Sequence, residues 1–144
     1  MEPIQTRGTS ATQVAVGFAA DSQGSGVAYV RVGDTAAARV LRVPFMVKRY
    51  PALLDREVGY GALVAVSAAL RRRGIERVRL VVDDARLSGD LLEHRDVPSA
   101  LTLAYVRLGC ALNQFREYEI AGSPQGESDL SARARSEVAM HVAA

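Results

Sequence analysis

The chain has 144 residues, of which 49% are apolar, 24% charged and 6% aromatic, and its formal charge is +2. That length holds one domain with a core able to bury itself without staples, and the single cysteine, Cys110, excludes a disulfide framework. The opening MEPIQTRGTSAT lacks the apolar segment of a signal peptide, and no apolar run reaches bilayer length. The expectation is a soluble, cytoplasmic protein with no membrane partner.

Residues 1–12 form a polar, flexible arm, and residues 13–144 form the single domain. Val14, Val16 and Phe18 alternate with Ala15, Gly17 and Ala19, the period-2 pattern of a half-buried strand. Asp21 to Gly26 is turn chemistry, and Val27 to Val32 resumes as the second strand of a hairpin. Gly33-Asp34 is a further hairpin signal, and a third strand runs over Arg39 to Phe45. Tyr50-Pro51 forces extended backbone ahead of a long helix that is apolar or small nearly all round. Val58, Ala62, Ala65 and Ala69 share one side of that helix and Leu63, Val66 and Leu70 another, so it packs on more than one side.

Arg71, Arg72 and Arg73 suit the carbonyl end of the helix, and Gly74 caps it in the left-handed conformation. Val78 to Val82 is a β-branched run ending at Asp83-Asp84, which places two carboxylates at a strand's C-terminal end, where open α/β sheets bind ligands. A turn or short helix spans Ala85 to His94, and Asp96-Val97-Pro98 opens an apolar helix reaching Phe115. Tyr118 and Ile120 alternate with Glu117 and Glu119 in a fifth strand. Ser128 caps a last helix that carries Leu130, Ala134 and Val138 on one face. The pattern predicts strands near 13–20, 26–33, 38–45, 77–82 and 116–121, and helices near 55–73, 98–114 and 127–141. Three antiparallel strands followed by alternating helices and strands make an α/β fold, a five-stranded mixed sheet of order βββαβαβα with helices on both faces.

That order resembles the ribonuclease H-like fold, and four motifs share the resemblance. Val58-Gly59-Tyr60-Gly61-Ala62-Leu63 resembles the Ala-Glu-Tyr-x-Ala-Leu opening of that family's first helix. Ile75 to Leu80, followed by Asp83, is similar to the strand that ends in its Asp-Ser. Ser128 to Ala134 is similar to its closing Ala-Asp-x-Leu-Ala-x-x-Ala. The hairpin Gly17 to Gly26 resembles the Gly-h-Asp-x-x-x-x-x-Thr-Gly hairpin of related resolvases.

The resemblance implies two divalent metals held by four carboxylates, since Mg²⁺ takes oxygen ligands and must be neutralised against phosphate. Carried over residue by residue, the fourth-strand acid is Asp83 and the last is Asp129. The first-strand position is Ala19 and the helix position is Gly59, so the chain resembles a degenerate member lacking two of the four catalytic carboxylates. Asp21 and Asp84 are the substitutes within reach. Each acid also has an ordinary role: Asp21 as a turn residue bonding its own backbone, Asp84 as a solvated loop residue, Asp129 as a partner of the helix dipole. Asp55 and Glu57 suit the first turn of the long helix in the same way, and Glu57 faces away from Gly59.

Elsewhere the sequence offers less. His94 and His141 are single, and neither a zinc spacing nor a Walker-type glycine loop occurs. Arg71, Arg72, Arg73, Arg77 and Arg79 form the basic cluster, suited either to phosphate contact or to a solvated helix end and strand face. Aromatic residues are not interleaved with it, which argues against a single-strand stacking platform.

Three functions are therefore in play. The leading one is a non-catalytic ribonuclease H-like module that binds a nucleic acid (an RNA–DNA hybrid or duplex) or a protein partner. The second is a nuclease using Mg²⁺ or Mn²⁺ on Asp21, Asp83, Asp84 and Asp129. The third is a structural or oligomerisation domain, with the small-residue surface of the long helix and the apolar helix over Leu101 to Leu112 either packed into the core or forming a partner or homodimer surface. No cofactor and no metal are expected under the first and third.

Overall fold

The computed structural model describes residues 11–33, 39–47, 54–82, 87, 91, 101–122 and 129–143. The elements run β1 (Thr12–Ala20), β2 (Ser25–Val32), β3 (Arg39–Met46), α1 (Leu54–Arg72), β4 (Arg77–Val82), α2 (Thr102–Leu112), β5 (Glu117–Gly122) and α3 (Asp129–Ala143). This is the predicted order, and the boundaries track the predicted ones closely. Strand β1 begins at Thr12, inside the stretch read as an arm, and the rest of that stretch up to residue 10 lies outside the described residues. So do Tyr50-Pro51, Asp83, Asp84, His94, Asp96 to Pro98 and Ser128.

The strands form one sheet in the order β3-β2-β1-β4-β5. β1–β2 and β2–β3 are antiparallel, while β4 lies parallel to both β1 and β5. Strand alternation divides the core in two. Val14, Val16, Val30, Val43, Val78, Leu80 and Val82 point to the face covered by α1 and α2, where they meet Leu63, Val66, Leu70, Leu108 and Leu112. On the opposite face Val27 and Tyr29 pack with Leu130 and Ala134 of α3, joined by Ala15, Ala19 and Val138. Both faces are covered because β1 carries large apolar residues on one side and the small apolar Ala15, Gly17 and Ala19 on the other, so neither side is suited to water.

Helix α1 stops as the sequence predicts. Gly74 has φ 85°, its N–H donates to the Arg71 carbonyl at 3.0 Å, and the Ile75 N–H donates to the Leu70 carbonyl at 3.2 Å. A left-handed residue reverses the chain there and satisfies two end carbonyls. The chain is thereby delivered into β4, next to β1.

Candidate nucleic-acid interface and the acidic positions

An ion shared between a first-strand ligand and a helix ligand needs both side chains on the α1 face of the sheet. In β1 those residues are Val14, Val16 and Phe18. Ala19, the position carried over by motif spacing, lies on the other face with Leu130 and Ala134, because consecutive strand residues point to opposite sides. That is a correction to the position-by-position mapping. A β-carbon added at Gly59 would sit 2.9 Å from Leu87 Cδ2 and 3.3 Å from Phe18 Cζ. Where α1 crosses β1, the space that two carboxylates would share is filled by a phenyl ring and a leucine. Apolar carbon supplies no oxygen for a hard cation, so this part of the site does not fit a metal.

Of the remaining acids, Asp21 is the turn residue its context suggests. Its Oδ1 accepts hydrogen bonds from the N–H groups of Gln23 (2.8 Å) and Ser25 (3.1 Å), and its own N–H donates to the Ser25 carbonyl at 2.8 Å. Its carboxylate is spent on the hairpin. Asp129 opens α3 and takes a hydrogen-bonded ion pair from Arg31 of β2 at 2.7 Å. The Arg31 hydrogen bond holds the Asp129 carboxyl below its ordinary range. Glu57, read as a first-turn acid, is buried to 9% exposure. Among the described residues no three His, Cys, Asp or Glu side chains converge as metal ligands, and Asp83 and Asp84 are not among those residues.

The basic cluster divides. Arg71, Arg72 and Arg73 are exposed at the end of α1, with no carboxylate partner among the described residues. Arg77 and Arg79 alternate with Val78 and Leu80, so they leave the opposite face of β4. There the parallel register sets them beside Glu117 and Glu119, with Arg77–Glu117 at 3.3 Å and Arg79–Glu119 at 3.5 Å. Arg79 also donates to the Gln13 side-chain carbonyl at 3.2 Å. Two of the five arginines are thus paired across strands, and the other three have no carboxylate partner among the described residues.

Sequence reading missed the polar cluster under α3. The buried Tyr29 hydroxyl donates to Glu137, and Arg42 donates to both carboxylate oxygens, its Nε lying 3.0 Å from each. Arg133 stacks over the Tyr29 ring at 4.3 Å from its centroid, a cation–π contact. The hydrogen bonds from Arg42, then from Tyr29, pull the Glu137 carboxyl down to about 2. A depressed carboxyl contributes stability that is complete above its unfolded value near 4.5 and is lost as pH falls through about 2. The melting temperature of the natural chain should therefore fall over that acid window, and Glu137→Gln should show less of this loss. Identical acid profiles for the two would remove Glu137 as the source.

No protein-family model matches the chain, and no curated protein matches it. Solved structures do. Ribonuclease H1 from the halophilic archaeon Halobacterium salinarum NRC-1 is 16% identical, with a TM-score of 0.65 over 89% of this chain and 99% of that one. The N-terminal ribonuclease H domain of a Mycobacterium tuberculosis protein is 13% identical, with a TM-score of 0.63 over 92% and 99%. The ribonuclease H1 called LC11, solved with an RNA/DNA hybrid, is 10% identical, with a TM-score of 0.66 over 92% and 99%. This chain has the ribonuclease H-like fold, and its strand order β3-β2-β1-β4-β5 is the ribonuclease H topology. Identities of this size carry the architecture and leave the chemistry to the side chains.

Proposed function

We propose that this chain is a ribonuclease H-like binding module and not a hydrolase. The observation that carries the reading is the Phe18–Gly59–Leu87 contact at the place where phosphodiester cleavage needs metal-binding oxygens. Two-metal hydrolysis requires ions about 4 Å apart that activate the attacking water and stabilise the leaving oxygen. Asp129 is held by Arg31 and does not restore the ligands that β1 and α1 withhold.

Nucleic acid is the first ligand to test. The similar LC11 enzyme was solved on a hybrid, and Arg71, Arg72 and Arg73 offer planar, bidentate phosphate donors. The expected result is retention of an RNA–DNA hybrid or a DNA duplex at low salt, with no cleavage in Mg²⁺ or Mn²⁺. Replacing Arg72 and Arg73 with alanine should weaken binding to all sequences alike and flatten the log K against log salt plot by about 2 units for a DNA duplex. Metal-dependent cutting by the natural chain, abolished by Asp83→Asn, would overturn the reading. A protein ligand is the second reading, and a groove beside β3 favours it.

A further inference from the structure

Strand β3 is an edge of the sheet, and a groove of about 440 Å³ runs between it and α1. Ala65, Ala68 and Ala69 floor this groove, Leu41 and Val43 line it from the strand, and Arg72 and Arg73 stand at one end. The small helix side chains leave room there for side chains from outside.

That edge, unpaired among the described residues, has a readable polarity. The Val47 N–H donates to the Gly24 carbonyl at 2.9 Å, and β3 continues from there in antiparallel register with β2. Antiparallel pairs alternate between hydrogen-bonded and outward-facing. The backbone groups of Phe45, Val43 and Leu41 therefore turn to β2, while those of Met46, Pro44, Arg42 and Val40 face outward. Pro44 has no N–H, so it removes one donor from that edge without costing the sheet a bond. Two of the donors that remain, on Val40 and Arg42, lie along the half of the strand beside the groove.

The direction of the groove is fixed as well. A β-carbon on Gly61 would collide with Val47 Cγ1, so the N-terminal part of α1 lies at the end of β3. Arg72 comes about three turns, or roughly 16 Å, further along the helix. Helix and strand are antiparallel, and the cations stand beside the start of β3.

Resting on the binding-module reading, we infer that this edge and groove take an extended acidic segment of a partner protein, added antiparallel to β3 as a sixth strand. Alternate residues of that segment, opposite Val43 and Leu41, place apolar side chains over the alanine floor. The next residue on the same face, towards the segment's C-terminus, carries a carboxylate to Arg72 and Arg73. The motif is apolar-x-apolar-x-acidic. Strand addition draws affinity from main-chain bonds and specificity from alternate side chains, and both are present here. A nucleic-acid duplex has phosphates for the arginines but neither strand hydrogen bonds nor apolar side chains for the floor. A second copy pairing through its own β3 would bring no carboxylate to Arg72 and Arg73, because that strand carries none, and the glutamates of its β5 are already held by Arg77 and Arg79.

The test is a titration of the full chain into a labelled synthetic peptide, Val-Thr-Val-Thr-Glu-Glu, read by fluorescence anisotropy. A Lys-for-Glu version and an RNA–DNA hybrid are run beside it. Val40→Pro removes an outward donor, and Ala68→Leu fills the groove. Each should weaken peptide binding by about tenfold, the worth of one good contact, while leaving hybrid binding unchanged. The Lys peptide should bind at least as weakly as these variants do. If Val40→Pro does not fold, the peptide N-methylated at its two threonines, whose N–H groups would face the Arg42 and Val40 carbonyls, supplies the same comparison against Ala68→Leu. Equal binding of the Lys peptide would overturn the inference, as would indifference to Ala68→Leu or a hybrid that competes and loses affinity in the same variants. So would a concentration-dependent dimer abolished by filling the groove, which would give the edge to a second copy. Cleavage of the hybrid by the natural chain would defeat the binding-module reading alone, because the peptide titration is independent of it.

Discussion

Replacing Gly17 with alanine is expected to lower the melting temperature by about 10 °C or to prevent folding. A β-carbon at this position would lie 2.3 Å from the Ser131 nitrogen, 2.6 Å from the Leu130 carbonyl carbon and 2.8 Å from Leu130 Cβ. The first two are backbone atoms in the first turn of α3, so no rotamer change relieves the contact and the helix itself must move. Gly17 has an ordinary strand conformation; its requirement is close approach. Lifting α3 would loosen Leu130 and Ala134 from Val27 and Tyr29 and strain the Tyr29–Glu137–Arg42 cluster. Overpacking costs about 1–3 kcal/mol when side chains can give, and more is expected where backbone must shift. At about 3–5 °C per kcal/mol for a chain of this size, that sets the scale of the loss. Gly109, with open space around its added β-carbon, is the control: Gly109→Ala should be neutral or stabilising within α2. Equal melting temperatures for the two variants would refute the close-packing account of Gly17.

The fold was legible because its signals are local. Alternation in β1 and β5, the two-sided apolar surface of α1 and the Gly74 cap each act within a few residues, and each occurs where the sequence places it. The turn role of Asp21 was legible for the same reason. The site was less so, and Ala19 shows why. Motif spacing counts residues along the chain, whereas a strand assigns every second residue to the other face. A shift of one position is invisible to the first and decisive for the second. The pairing of Arg77 and Arg79 with Glu117 and Glu119 depends on the register of two parallel strands separated by a helix, which no local pattern states. The Tyr29–Glu137–Arg42 cluster joins β2, β3 and α3, and its one sequence trace is an arginine among apolar residues of β3. The open edge of β3 likewise becomes visible only once strand order is known.

The same parity argument decides how metal binding could be put back. The pair Ala19→Asp/Gly59→Glu, chosen by motif, should gain neither hybrid cleavage nor metal affinity. Its aspartate would point at Leu130 and Ala134, across the sheet from the new glutamate, and an unpaired carboxylate set among apolar groups lowers stability. The pair Phe18→Asp/Gly59→Glu places both carboxylates on the α1 face. It also clears the ring that stands 3.3 Å from the added β-carbon, leaving the flexible end of Leu87 to give way. This variant loses a half-buried aromatic packed on the core, so it should be less stable than the natural chain by about 3 kcal/mol. Mn²⁺ should then restore part of that loss, because an ion bound at a hundred times its dissociation constant stabilises the folded state by about 2.7 kcal/mol. The natural chain and the Ala19→Asp pair should melt at the same temperature with and without the ion. A Mn²⁺-dependent rise confined to the Ala19→Asp pair would show that β1 presents its side chains the other way round, and the case for a lost metal site at Phe18 and Gly59 would fall with it.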